Sequence, residues 1–201
     1  MGRDAVSSTN RGAQRHPDDW YRTPAWAVAA LIPELHFETA TPRTVLDPCA
    51  GDGAILDVLG SRCLAYGIEL DGERAIACHS VGRPCVVADA LAMSSWVHPE
   101  TGERPNRIVM NPPFSLAMEF VERALREVGP FGIVAVLLRL AWLSSAKRAP
   151  FHRAHPSRVL VLPRRPSFTD NGKTDSADYG WFLFGRDPGT WAVLDVHGVA
   201  S

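Results

Sequence analysis

The chain has 201 residues, 46% of them hydrophobic, and a formal net charge of −1. That length suits one domain with a full-sized core, and the near-neutral balance excludes binding to nucleic acid through global charge alone. No apolar run approaches the ~20 residues that cross a bilayer, and the opening "MGRDAVSSTNRGAQRH" lacks the apolar segment of a secretion signal.

That opening reads as a flexible tail over residues 1–17, followed by one domain over 18–201, and a cytoplasmic location is expected. Next, "DDWYRTPAWAVAALIPEL" combines a turn at Thr23-Pro24 with an amphipathic helix over Ala25–Leu31. Apolar strands and helices then alternate. "RTVLD" predicts a strand, "GAILDVLGSR" a helix, "CLAYGIEL" a strand and "GERAIACHSVG" a helix, and "PCVVADAL" and "RIVMN" are two further strands. "SLAMEFVERALREVG" is the clearest helix: Leu116, Phe120, Ala124 and Leu125 share a face, while Glu119, Glu122, Arg123 and Arg126 are polar. "GIVAVLLRLAWL" is a continuous apolar strand, the pattern of one covered on both faces. "RVLVLP" and "GWFLFG" complete the set, with "TWAVLDV" as a candidate extra strand. This alternation implies an α/β fold of three layers around a mostly parallel, seven-stranded sheet. Only the loop-like "RRPSFTDNGKTDSADY" separates the late strands, which puts an antiparallel pair at one edge.

Ligands of such sheets bind at the carboxyl ends of the strands. The first strand ends in "LDPCAGDG", where Gly51 and Gly53 permit a tight turn and a close approach of ligand to main chain. The turn is no dinucleotide fingerprint, because bulky Leu56 stands where close helix packing wants a small residue, and no Gly-Lys-Ser/Thr follows to make a phosphate loop. Asp47, at the strand end, would repel a pyrophosphate but suits a ligand carrying an ammonium group. Glu69 ends the second strand, placed to accept both hydroxyls of a ribose. Asp89 follows the third, placed to accept from an adenine amino group. Three unrelated acids capping helices are the bland alternative. Together, however, the three describe adenosine joined to an amino acid without phosphate, and S-adenosylmethionine fits that description.

The fourth strand ends in "NPPF". Two consecutive prolines at a strand end cost ladder hydrogen bonds and conformational freedom, so the tetrad has a reason outside the sheet. Here the sequence resembles the S-adenosylmethionine-dependent amino-methyltransferases, particularly the small adenine-N6 DNA methyltransferases of phages and prophages. The motifs that carry the resemblance come in order: "YRTP", "DPCAGDG", the Glu69 and Asp89 acids, "NPPF", and the stretch "RRPSFTDNGKTDSADYGWFLFG". The resemblance implies a Rossmann-like methyltransferase fold with S-adenosylmethionine as cofactor. It implies that Tyr21, Thr23, Pro24, Asp47, Pro48, Ala50, Gly51, Gly53, Glu69, Leu70, Asp89, Ala90 and Asn111 hold that cofactor, with Thr23-Pro24 beside its methionine part. Asn111, Pro112, Pro113 and Phe114 would then carry the chemistry. The Asn111 side-chain oxygen and the Pro112 carbonyl accept the two N–H groups of a planar amine, the prolines hold the carbonyl fixed, and Phe114 offers a stacking surface. No metal and no tuned general base enters this scheme.

The resemblance puts adenine in DNA first as substrate. Adenine in structured RNA, cytosine N4 in DNA, a protein glutamine, and a non-catalytic cofactor or nucleic-acid binder stay open beside it. Phe114 leans toward adenine by family tendency. With no separate target-recognition domain, recognition is relaxed, carried by short loops, or supplied by a partner protein. No Asp or Glu falls between Val128 and Thr169, a stretch that holds Arg139, Lys147, Arg148, Arg153 and Arg165. With Lys173 these are candidates to hold phosphates, a solvated basic face being the plainer reading. Arg139 and Trp142 follow a buried strand and are placed to line the pocket. Ser167, Phe168, Lys173, Asp175 and Tyr179 lie in a loop too long for a simple hairpin, as lids and target-contacting loops are. Trp181 and Phe182 are expected in the core. Cys49, Cys63, Cys78 and Cys85 form no C-x-x-C pair, and His152 and His155 have no third ligand nearby, so no metal is expected.

Overall fold

Residues 20–37, 43–80, 82–168, 174–185 and 191–193 are described in the computed structural model; the expected tail and Lys173 lie outside the described residues. The predicted helix over Ala25–Leu31 forms there as α1 and buries Ala27, Val28, Ala30 and Leu31, with Pro24 in extended backbone before it. The chain then alternates as the sequence periodicity requires: β1 (Thr44–Asp47), α2 (Ala54–Leu59), β2 (Leu64–Glu69), α3 (Gly72–Ser80) and β3 (Cys85–Val87). It continues through β4 (Arg107–Met110), α4 (Ala117–Glu127), β5 (Ile133–Arg139), α5 (Ala149–Ala154), β6 (Arg158–Val161), β7 (Tyr179–Phe184) and β8 (Trp191–Val193).

These strands form one sheet in the order β3-β2-β1-β4-β5-β7-β6-β8. The strands from β3 to β5 in that order pair in parallel, and β7 runs antiparallel between β5 and β6. Seven strands were expected from the main pattern. The candidate extra segment supplies the eighth, β8, which pairs in parallel with β6. After β1 the chain winds outward through β2 and β3, then returns to lay β4 on the other side of β1. The carboxyl ends of β1 and β4 therefore flank the switch point at which such sheets open a crevice.

Side-chain alternation sends each strand's apolar residues into two cores. Ile133, Ala135 and Leu137 of β5 join Tyr179, Trp181 and Leu183 of β7 beneath α1 and α2. Val134, Val136 and Leu138 join Phe182 and Phe184 beneath α4. Trp181, as expected, is fully buried, and its indole N–H donates to the Ala27 carbonyl at 2.9 Å, tying sheet to helix. Gly67 lies mid-strand because a Cβ there would come within 2.6 Å of the Ala50 Cβ.

One detail of α4 departs from the expectation. The sequence periodicity puts Leu116 on the apolar face, yet it belongs to a 3-10 turn (Phe114–Leu116) and is 40% exposed, while Leu125 is half-buried. The buried stripe is Ala117, Phe120, Val121 and Ala124, with Glu127. The rigid Pro112-Pro113 pair delays the helix by a turn and so rotates Leu116 out of the stripe. Between β3 and β4 no helix forms; Trp96 fills that layer, donating its indole N–H to the Ala90 carbonyl at 2.7 Å and its backbone N–H to Glu127 at 3.1 Å. No helix among the described residues is long and apolar enough to cross a membrane.

Candidate functional site

The turn after β1 bends at Gly51, whose φ of +55° is a left-handed value that side chains rarely adopt. Space demands glycine there as well, since a Cβ would lie 2.3 Å from the Trp20 indole nitrogen. Glu69, at the end of β2 and 6% exposed, reaches back to the turn: its carboxylate accepts from the Gly51 N–H at 2.7 Å, the Asp71 N–H at 2.9 Å and Arg74 Nε at 3.3 Å. The expected ribose acceptor therefore also braces the glycine turn. Three of the carboxylate's roughly four lone-pair sites are thereby used, which leaves about one for a ligand hydroxyl.

A cavity of about 700 Å³ opens beside this turn. Its wall includes Pro48, Glu69, Leu70, Asp89, Ala90, Asn111 and Pro113, all anticipated, and also Trp20, Cys49, Arg74, Ser115 and Leu116, which were not. Asp89 sits two residues past β3 and is exposed, with one oxygen accepting from the Leu91 N–H at 2.9 Å. A second, much smaller cleft of about 20 Å³ is lined by Tyr21, Thr23, Asp47, Ala50 and Asp52. Trp20, Cys49 and Asn111 line both spaces. Of the residues expected at the cofactor, Pro24, Gly51 and Gly53 line neither.

Asp47 is buried, accepting from the Cys49 N–H at 3.1 Å and facing its thiol at 3.5 Å. Burial pushes its carboxyl up to about 7, the nearby Glu69 charge adding to the effect and the Cys49 hydrogen bonds opposing it. Burial likewise pushes the Cys49 thiol well above its ordinary value, with the Asp47 charge adding to the effect.

Asn111 stands one residue beyond β4. Its amide nitrogen donates to the Tyr21 carbonyl at 2.9 Å and to the Thr23 hydroxyl at 3.0 Å. Pro112 is buried, and the Pro113 carbonyl accepts from the Leu116 N–H at 2.9 Å, which locks the corner into the turn that follows. Phe114 lines neither space. Tyr21 stacks on its ring with centroids 5.4 Å apart and planes at 22°, Tyr179 lies at 5.9 Å, and the Arg139 guanidinium is 4.9 Å above it. Phe168 closes a ring of four aromatics, 5.7 Å from Tyr21 and 5.1 Å from Tyr179. The surface expected to receive a base is thus already covered by the chain's own rings.

The basic residues divide. Arg139 donates to the Tyr179 hydroxyl at 2.9 Å and pairs with Asp175 at 3.1 Å; that same aspartate accepts from the Tyr179 hydroxyl at 2.7 Å. Burial pushes Asp175 up, but the Tyr179 hydroxyl, the Ala177 N–H and the Arg139 charge outweigh it and hold the carboxyl below its ordinary value. Arg165 pairs with Asp178 at 2.8 Å. Arg148 caps the Trp142 carbonyl at 2.7 Å and lies 5.6 Å from that indole's centroid. Lys147 and Arg153 are exposed. Among the described residues no cluster of His, Cys, Asp or Glu could hold a metal ion.

Sequence reasoning missed Trp20. Its indole lies against Gly51, the Arg74 guanidinium is 5.4 Å from its centroid, and it lines both spaces. The only signal was its position next to "YRTP", since a single tryptophan in a polar stretch has no periodicity to read.

No protein-family model and no curated protein matches the chain. Solved structures do. Over 93% of its length the chain is similar to 69% of a Listeria monocytogenes protein described as a class I S-adenosylmethionine-dependent methyltransferase, at 16% identity and a TM-score of 0.66. It also covers 48% of a modification subunit of a type I restriction enzyme from Vibrio vulnificus (90% of this chain, 16% identity, TM-score 0.63). It covers 87% of a Pyrococcus horikoshii protein described as an RNA methyltransferase (83% of this chain, 15% identity, TM-score 0.64). The chain thus spans about half the length of the restriction-system subunit. At these identities the likeness establishes the fold, which is the Rossmann-like methyltransferase fold.

Proposed function

We propose that the chain is an S-adenosylmethionine-dependent methyltransferase that modifies the exocyclic N6 amine of adenine in DNA. One observation carries this reading: Asn111 opens into the same 700 Å³ cavity as Glu69 and Asp89. The acceptor of an amine and the acids suited to a nucleoside therefore address one space. The donor set fits the cofactor. Glu69 and Asp89 line the cavity beyond the β2 and β3 ends and Asp47 lines the smaller cleft at the β1 end, with no phosphate-binding loop, which suits an ammonium, a ribose and an adenine amine and disfavours a diphosphate.

When bound, S-adenosylmethionine supplies an electrophilic methyl group on a sulfonium sulfur. The chain's own residues act on the amine. An exocyclic amine is a poor nucleophile because its lone pair is delocalised into the ring. Asn111 Oδ1 and the Pro112 carbonyl accept its two N–H bonds and favour a pyramidal nitrogen with its lone pair free to attack. Because two prolines hold that carbonyl, little must reorganise as the charge develops. A duplex base leaves its stack at a cost of a few kcal/mol, offset by aromatic stacking worth about 1–3 kcal/mol. For Phe114 to provide it, Tyr21 or Arg139 must move aside.

In this reading recognition is relaxed, or short loops or a partner protein select the site. Adenine in RNA is the second reading, favoured by the mutual coverage with the Pyrococcus horikoshii protein described as an RNA methyltransferase. The test is transfer of labelled methyl groups to unmethylated genomic DNA, total RNA and protein extract, with the product nucleoside identified by mass spectrometry. N6-methyladenine in DNA is expected. Asn111→Ala is expected to abolish transfer while cofactor binding, followed by calorimetry, stays nearly intact; retained turnover in that variant removes Asn111 from the chemistry.

A further inference from the structure

We infer that the carbonyl of Tyr21 decides which end of the Asn111 amide faces the substrate amine, and that the Thr23 hydroxyl is the positioning group that holds the amide in that orientation. This deepens the methyl-transfer reading and rests on it. An asparagine amide has two ends of nearly equal size and opposite hydrogen-bonding character, an acceptor oxygen and a nitrogen with two donors. A substrate amine presents N–H bonds, so only the oxygen can receive it. The flipped amide would oppose donor to donor and switch the site off with no change in its shape.

The fold settles the choice through Trp20–Pro24, the segment that crosses the glycine turn. Both amide hydrogens of Asn111 are committed, one to the Tyr21 carbonyl at 2.9 Å and one to the Thr23 hydroxyl at 3.0 Å. Flipping the amide would set Asn111 Oδ1 against the Tyr21 carbonyl, two acceptors with no hydrogen between them. A hydroxyl can rotate to donate, but a carbonyl cannot, so the carbonyl discriminates and the hydroxyl supplies the second hold. Thr23 is 3% exposed, which makes its bond costly to lose to water. The segment is itself anchored: Arg22 pairs with Asp52 at 2.5 Å, Tyr21 stacks on Phe114, and Trp20 lies against Gly51. Thr23 was expected beside the methionine part of the cofactor. Its hydroxyl accepts from Asn111 Nδ2, and the residue also lines the smaller cleft with Asp47.

The test compares Thr23→Val, which keeps the volume and removes the hydroxyl, with Thr23→Ser, which keeps the hydroxyl, in the full chain. One hydrogen bond of this kind converts to a loss on the order of tenfold. The expectation is that Thr23→Val lowers kcat by about that factor while the substrate KM and the calorimetric cofactor Kd change little. Thr23→Ser is expected to restore turnover. An unchanged kcat in Thr23→Val, or a cofactor Kd that weakens in step with kcat, would overturn the assignment. A second measurement needs neither turnover nor the valine variant. In wild-type protein labelled with nitrogen-15 at asparagine, the Asn111 side-chain NH2 pair, identified by its absence from Asn111→Ala, is expected to exchange slowly with solvent. Exchange as fast as a free amide's would refute the orienting bonds even if the enzyme is active. Slow exchange in a protein that transfers no methyl group would instead leave the orientation standing and remove the proposed activity.

Discussion

A carboxyl group buried with only a backbone N–H and a thiol as donors holds its proton, and Asp47 is in that position. Its folded value of about 7 lies above the ordinary 3.8 that it regains in the unfolded chain. The neutral acid therefore contributes stability that is fully present below about pH 4 and is lost as the pH rises through about 7. The displacement corresponds to a penalty on the order of 4 kcal/mol for the ionised, ligand-free state. Asp47→Asn mimics the neutral acid, so its melting temperature should exceed that of wild type by a margin that widens from pH 4 to pH 8, as read by parallel thermal melts. A margin independent of pH would show that Asp47 ionises freely. An ammonium ligand reverses the balance by favouring the carboxylate. Cofactor binding near pH 6 should then release a proton, detected as a buffer-dependent calorimetric heat that Asp47→Asn lacks.

Among the elements, α4 shows how a helix can carry a charge inward. Glu127 is 6% exposed, pairs with Arg123 at 2.7 Å and accepts from the Trp96 N–H at 3.1 Å, so it holds the layer that no helix fills between β3 and β4. Glu127→Ala strands a buried N–H and a half-buried guanidinium, and the expected loss is about 3 kcal/mol in chemical denaturation; Glu127→Gln, which keeps an acceptor, should lose less. Equal losses would mean that the packing, and not the acceptor, matters. The helices and strands themselves were largely legible, because the continuous burial of β5 and the apolar stripe of α1 follow directly from residue order. What could not be read were the contacts between distant segments. Nothing local to Phe114 announces that Tyr21 will stack on it, and nothing local to Leu116 says that two prolines will rotate it into a cavity wall. The Asn111 corner, the acids and the glycine turn were visible as motifs; the segment from Trp20 to Thr23 that joins them was visible only in part.

At the level of the whole molecule, the long run without acids does not make a uniformly basic face. Folding brings Asp175 to Arg139 and Asp178 to Arg165, both from the loop before β7, and so neutralises part of it. Lys147, just before α5, and Arg153, in its last turn, remain exposed. If nucleic acid crosses this face, each phosphate contact contributes about one unit to the slope of log affinity against log salt. The Lys147→Ala, Arg153→Ala double variant should therefore reduce the slope by about 2, measured by fluorescence anisotropy with labelled duplex at several salt concentrations, with no change in cofactor affinity. An unaltered slope would place the phosphates elsewhere on the protein.

Because the Trp20 indole lies against Gly51 and forms part of the wall of both spaces, the molecule carries a built-in optical probe. The other five tryptophans, of which Trp96 and Trp181 are fully buried, contribute a background that Trp20→Phe retains. Titration with S-adenosylhomocysteine should shift or quench the emission in proportion to occupancy, and Trp20→Phe should abolish the change. Ligand affinity could then be followed in real time with no label attached.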